Sequence, residues 1–112
     1  MVIESTAADK NFTYMHANIC QALADPKRIQ ILYALAAQPC HVNSLAHDLN
    51  LPQSTVSRHL RVLRQQSLVA AQREGVGIIY RLADQRIMQV LDILHLLMVE
   101  AIEKKKAVLN GR

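Results

Sequence analysis

Tryptophan is absent and phenylalanine occurs once, at Phe12, so any core in this 112-residue chain must be aliphatic. The hydrophobic fraction of 51% then has to come mainly from Leu, Ile, Val and Ala, a composition that favours packed helices. Cysteine is scarce too. Cys20 and Cys40 are too few for a disulfide framework and are expected to begin as free thiols. The opening MVIESTAADK has no basic segment followed by an apolar one, so it does not read as a secretory signal. The longest apolar stretch, near Val90 to Val99, is interrupted by Asp92 and His95 and falls short of a membrane span. These absences predict a cytoplasmic protein with no membrane contact. Enzyme signatures are missing as well: there is no nucleophile elbow, no Gly-rich phosphate loop and no paired-carboxylate constellation. The most informative absence is local. No acidic residue lies between Asp48 and Glu74, whereas Arg58, Arg61, Arg64 and Arg73 do. With 13 Lys and Arg against 9 Asp and Glu overall, this is where the net charge of +4 is least opposed, as on a surface that meets phosphates.

What is present centres on Pro52 to Arg64. Val56, Leu60 and Leu63 recur at i, i+4, i+7 and share one face of a helix, leaving Gln53, Ser54, Ser57, Arg58 and Arg61 on the others. The major groove admits a helix whose first turns point at base edges, and short hydrogen-bonding side chains there suit that task. Candidate DNA contacts are therefore Gln53, Ser54, Thr55, Ser57, Arg58 and Arg61. His59 either meets a phosphate or packs on the same helix, and Arg73 stands in the following strand. A solvated basic face on an amphipathic helix is the plainer reading of the same stretch.

The rest of the chain frames this helix. Residues 1–10 carry no pattern and predict a mobile tail, followed by one domain over 11–112. Phe12, Met15, Ile19 and Leu23 step as a first helix. Asp25-Pro26 opens a second, with Asp25 as cap and Pro26 at the first helical position; Ile29, Leu32, Tyr33 and Leu35 form its apolar stripe until Gln38-Pro39. Val42 to Leu49 is a short third helix, and Asn50 tolerates the left-handed conformation that ends it. The next helix begins within a few residues, which makes a helix-turn-helix. Leu68 to Arg73 and Ile78 to Leu82 read as strands around Glu74-Gly75-Val76-Gly77, a hairpin positioned as a wing. From Asp84 to about Leu109 a last helix is apolar almost all round. One domain of this size does not cover such a helix, so a second copy is expected against Ile87, Leu91, Leu94, Met98 and Ile102. The expected fold is mainly α, with about five helices and a two-stranded wing.

These residues resemble the arsenic-repressor (ArsR/SmtB) family of winged helix-turn-helix regulators. The resemblance is carried by Leu23-Ala24-Asp25-Pro26-Lys27-Arg28, by Ser54-Thr55-Val56-Ser57-Arg58-His59-Leu60 with Leu63, and by Leu68-Val69, Arg73-Glu74-Gly75 and Tyr80-Arg81-Leu82. It implies a homodimer joined through its first and last helices that binds double-stranded DNA at an inverted-repeat operator and represses until an inducer loosens it. The sensor motifs depart from the family. Cys40-His41-Val42-Asn43 stands where some members carry a Cys-Val-Cys-like signature; Arg86 follows Asp84 where zinc-binding members place Asp-x-His, and Leu97 occupies the position of a later histidine. The last helix has no cysteine for a persulfide pair, and Val76 and Gly77 replace a basic wing tip.

The candidate ligands that remain are His16 and Cys20, one turn apart on the first helix, with Cys40 and His41. Two thiolates and two imidazoles suit a thiophilic metal or metalloid. Against this, free cysteines are commonly buried as small hydrophobes, the expectation for Cys20. Cys40, at a helix start, is expected to be exposed and reactive. Asp92, His95, Glu100 and Glu103 read as a polar edge of a dimer seam before a metal site. The alternative to a DNA-binding repressor is a helical dimerisation module that regulates through protein partners.

Overall fold

The computed structural model describes residues 10–111. The elements run α1 (Lys10–Ala22), α2 (Pro26–Ala37), β1 (Cys40–His41), α3 (Val42–Leu49), α4 (Gln53–Gln65), β2 (Val69–Glu74), β3 (Gly77–Leu82) and α5 (Arg86–Asn110). Five helices and a hairpin match the sequence reading. The expected tail lies outside the described residues apart from Lys10, which opens α1.

Helix ends follow from identifiable caps. Asp25 accepts hydrogen bonds from the backbone N–H of Lys27 (2.8 Å) and Arg28 (3.3 Å), with Pro26 at the first helical position of α2. Burial pushes its carboxyl up, but those two bonds and the nearby His59 and Arg28 outweigh it and hold the group below its ordinary value. Asn50, at φ 55°, ends α3 with the Leu51 N–H on the Ala46 carbonyl (2.9 Å) and its own N–H on His47 (3.2 Å). Ser67, at φ 60°, repeats the arrangement after α4, with Leu68 N–H on Leu63 (2.9 Å) and Ser67 N–H on Arg64 (3.0 Å). Both are Schellman ends, so the chain turns sharply on either side of α4.

The sheet has three strands rather than the expected two, in the order β1-β3-β2, both pairings antiparallel. β1 is only Cys40–His41, paired with Tyr80 and Ile79. In the hairpin, Glu74 faces Gly77 across a two-residue loop, and Gly75 takes φ +62° at the first loop position, where a side chain would be strained.

One aliphatic core joins these elements: Ile31, Leu32 and Leu35 of α2, Leu45 and Ala46 of α3, Val56, Leu60 and Leu63 of α4, then Leu68, Val69, Leu82 and Leu91. In α2 the buried stripe includes Ile31, while Tyr33, read as part of it, is exposed and donates its hydroxyl to Asp92 Oδ1 at 3.4 Å. That contact ties α2 to α5. Leu91 is the only buried residue of α5, so it is already taken up by its own core, with Ile87 packed beside it. Leu91 is therefore not free for a partner in the way the sequence pattern implied, whereas Ile87 is only partly covered. Leu94, Met98 and Ile102 are free: each stays about half exposed, as do Phe12 and Met15 on α1.

Candidate nucleic-acid interface

Helix α4 is divided lengthwise. Val56, His59, Leu60 and Leu63 are buried against the core. Gln53, Ser54, Ser57, Arg58, Arg61 and Arg64 are exposed, and Thr55 is half-buried. Pro52 stands at the N-cap position, no side chain caps the helix, and its first turn holds no acidic residue, so its positive dipole end is left open towards solvent. Of the two readings of His59, a DNA contact or packing on the same helix, the structure takes the second and turns it inward. It is 7% exposed, and its Nδ1 lies 3.3 Å from Arg28 Nη1. The reason is helical geometry: His59 is three residues past Val56 and four before Leu63, within the buried stripe.

The wing stands beside this face. Arg73, on β2, is exposed, and Arg81, on β3, donates to Gln72 Oε1 across the hairpin at 2.7 Å. Between α4 and the wing runs a cleft lined by His41, Asn43, Ser57, Val76 and Tyr80. Asn43 and Tyr80 had no DNA-facing role in the sequence reading, because only β1–β3 pairing brings the start of α3 to the wing. His41, a candidate ligand, is instead a fastener of the wing root. Its Nδ1 meets the Ile78 carbonyl at 3.1 Å, and its ring lies so close to Gly77 that a Cβ there would come within 3.3 Å. Glycine at 77 makes room for the imidazole.

The two thiols exchange places relative to expectation. Cys40 is buried, donates to the Gln38 carbonyl at 3.3 Å, and has its thiol pushed up by burial and by Asp48. Its position in β1, against β3, removes it from solvent despite the adjacent helix start. Cys20 is exposed, because α1 sets only Ala22 fully into the core. Among the described residues no three His, Cys, Asp or Glu side chains come together as a metal site, so His16, Cys20, Cys40 and His41 do not converge within one chain. Asp84, at the start of α5, is engaged by Arg86: its Oδ1 accepts from the Arg86 N–H at 2.8 Å and its Oδ2 from Nη2 at 2.6 Å. The side-chain bonds of Arg86 lower its carboxyl to about 2.

A buried core side on α4, an exposed polar and arginine-bearing side, a Schellman turn at each flank and a hairpin alongside describe a winged helix-turn-helix reading head. The family model described as a bacterial regulatory protein of the arsR family matches residues 25–71. The transcriptional regulator NmtR of Mycobacterium tuberculosis is 41% identical over 88 residues, 79% of this chain and 73% of that protein. The chain belongs to the arsR family of bacterial regulatory proteins. Two other curated regulators are spanned over 56% of their own length. The homodimeric winged helix-turn-helix DNA-binding domain Mb0332 of Mycobacterium bovis superimposes with a TM-score of 0.76 at 28% identity, covering 87% of this chain and 92% of that one. The cadmium metal-sensor CmtR of M. tuberculosis gives 0.60 at 44% identity, covering 70% and 81%. As an arsR-family member the protein is a transcriptional regulator, not an enzyme. Among its described residues no helix is long and apolar enough to cross a membrane.

Proposed function

We propose that this arsR-family regulator is a cytoplasmic homodimer that represses transcription by placing α4 of each subunit in the major groove of an inverted-repeat operator. The observation that carries the reading is the partition of α4. Its outward face, Gln53, Ser54, Ser57, Arg58 and Arg61, does no core packing, lies at an uncapped helix start and sits in the stretch free of acidic residues. Arg73 and the cleft-lining Asn43 would add backbone contacts from wing and α3, which position without reading sequence. Dimerisation is supported by the uncovered apolar residues of α1 and α5 and by the homodimeric Mb0332 domain.

Two measurements test this. Binding to random duplex DNA should weaken steeply with salt, since displaced counterions report phosphate contacts; affinity indifferent to salt would favour a module that acts through protein partners. On a duplex selected from a random pool, Arg58→Ala and Ser57→Ala should each lose about 1–3 kcal/mol, with relaxed preference at one base position. Parental affinity in both variants would remove α4 from the reading role.

For the inducer, the reading points to a thiophilic metal, metalloid or thiol oxidant acting at Cys20. It is the exposed thiol, and His16 lies one turn away. Two donors from one chain leave a four-coordinate soft metal incomplete, so a metal would draw further ligands from the second copy. Cys20→Ser should abolish release from the selected duplex by oxidant or zinc, whereas Cys40→Ser should not. Release persisting in Cys20→Ser, or lost only in Cys40→Ser, contradicts this assignment.

A further inference from the structure

Arg28, in the first turn of α2, reaches back across the end of α1. Its Nε donates to the Ala22 carbonyl at 2.6 Å and its Nη2 to the Gln21 carbonyl at 3.2 Å. The last carbonyls of a helix have no partner within it; Gln21 also accepts from the Ala24 N–H at 3.1 Å, and the guanidinium takes up Ala22 as well. The remaining nitrogen, Nη1, is the one that meets His59 Nδ1 on the inner face of α4. A single side chain thus connects the terminal helix whose apolar face is uncovered to the helix that carries the exposed arginines.

The bond has a chemical requirement. A guanidinium offers only donors, so Nδ1 must accept with its lone pair and His59 must be neutral, its proton on Nε2. A proton on Nδ1 would set two N–H groups against each other, and in the doubly protonated ring two positive charges as well. The surroundings favour the neutral ring. Burial lowers the His59 pKa; Asp25, the cap of α2, pulls it up, while Arg28 and Lys27 on α2 and Arg58 on α4 itself push it down further, and the balance lies below the ordinary value. From α1 the neighbours in this network are carbonyl oxygens.

We propose that Arg28 and His59 form a proton-sensitive latch that fixes the reading helix α4 against α1, making both positioning residues for operator recognition and pH a regulator of it. This rests on the DNA-binding reading above. In a two-fold dimer the separation and pitch of the two reading helices decide whether both enter successive major grooves. α1, on the proposed dimer face, relays that geometry to α4 through one guanidinium. If the DNA-competent form holds His59 neutral while the released form opens the bond and lets the ring titrate nearer its ordinary value, acid favours the released form, so operator affinity rises with pH and falls as acid protonates the ring. Stability follows the same sign. The folded-state value is depressed, so this contribution is complete above the ordinary value of 6.5 and is lost as pH falls below it towards the folded-state value.

The test uses the full chain and a duplex selected from a random pool. Arg28→Lys keeps the charge but not the fork, and should bind the selected duplex about tenfold more weakly, within the usual range of coupling between sites. It should stay folded and dimeric and keep the parental affinity for random duplex. His59→Asn presents a permanently neutral acceptor near the position of Nδ1. Between about pH 7.5 and about pH 5.5 the parent should lose selected-duplex affinity more steeply than His59→Asn, the difference being His59's own share. Parental affinity for the selected duplex in Arg28→Lys, or the same pH profile in His59→Asn as in the parent, overturns the latch. Should Arg28→Lys fail to fold, the His59→Asn profile decides. Nitrogen chemical shifts of the imidazole, recorded without DNA, provide an independent arm: an unprotonated Nδ1 is expected at neutral pH, and a protonated one overturns the proposal. A parent that shows no preference for any duplex over random DNA would count against the DNA-binding reading, while the imidazole measurement still judges the bond.

Discussion

Met98→Glu on α5 should turn a dimer into a folded monomer. Met98 is 58% exposed in the isolated chain, between the similarly uncovered Leu94 and Ile102 one turn to either side. In an interface with two-fold symmetry one substitution is made twice, so two carboxylates would have to enter the seam without partners. At about 2 kcal/mol or more for each unpaired polar group, the dissociation constant should rise roughly a thousandfold. Circular dichroism should be little changed, because Met98 makes no part of the monomer core. Sedimentation at micromolar concentration checks the prediction. A variant that remains dimeric would place the seam elsewhere, and a parent that is already monomeric would withdraw the dimer altogether.

The second large effect concerns the monomer itself. Leu60→Ala removes a side chain that is 1% exposed and surrounded by the α2, α3 and α4 core. Such truncations cost about 2–5 kcal/mol through lost transfer energy and the cavity left behind. For a domain whose total stability is of order 5–15 kcal/mol, that is a large share. Urea melts should show a lower midpoint with little change in slope, whereas Arg61→Ala, one residue along on the exposed side, should stay within about 0.5 kcal/mol of the parent. Similar losses in both would mean that α4 is not divided in the way its burial indicates.

The contrast between those neighbours also explains what the sequence could reveal. Periodicity located α4, and its buried and exposed sides, because Val56, Leu60 and Leu63 differ sharply in character from the arginines between them. Asp25-Pro26 and Asn50 marked helix ends through local chemistry, and the glycine-bearing turn marked the hairpin. β1 escaped notice because two residues cannot display a strand's alternation; its pairing with β3 is a long-range event. Ser67 at positive φ was unmarked for a related reason: serine is not a residue that announces a left-handed turn. His59 stayed open between a phosphate contact and packing because it is polar and beside Arg58, although its position in the i, i+3, i+4 pattern pointed inward. The cysteines show the limit most plainly. Which thiol meets solvent depends on how far α1 settles onto the core and on β1 joining the sheet, and neither is written within a few residues of Cys20 or Cys40.

The lengthwise division of α4 also bears on how such a regulator diverges. The residues that hold the helix in place, Val56, Leu60 and Leu63, share no positions with those proposed to read DNA, Gln53, Ser54, Ser57, Arg58 and Arg61. Exposed positions of this kind tolerate exchange at little cost in folding free energy. Duplicated copies of the gene could therefore drift towards new target sites by changing the outer side chains alone. Each intermediate would still fold, and natural selection would act on recognition without first having to repair the scaffold.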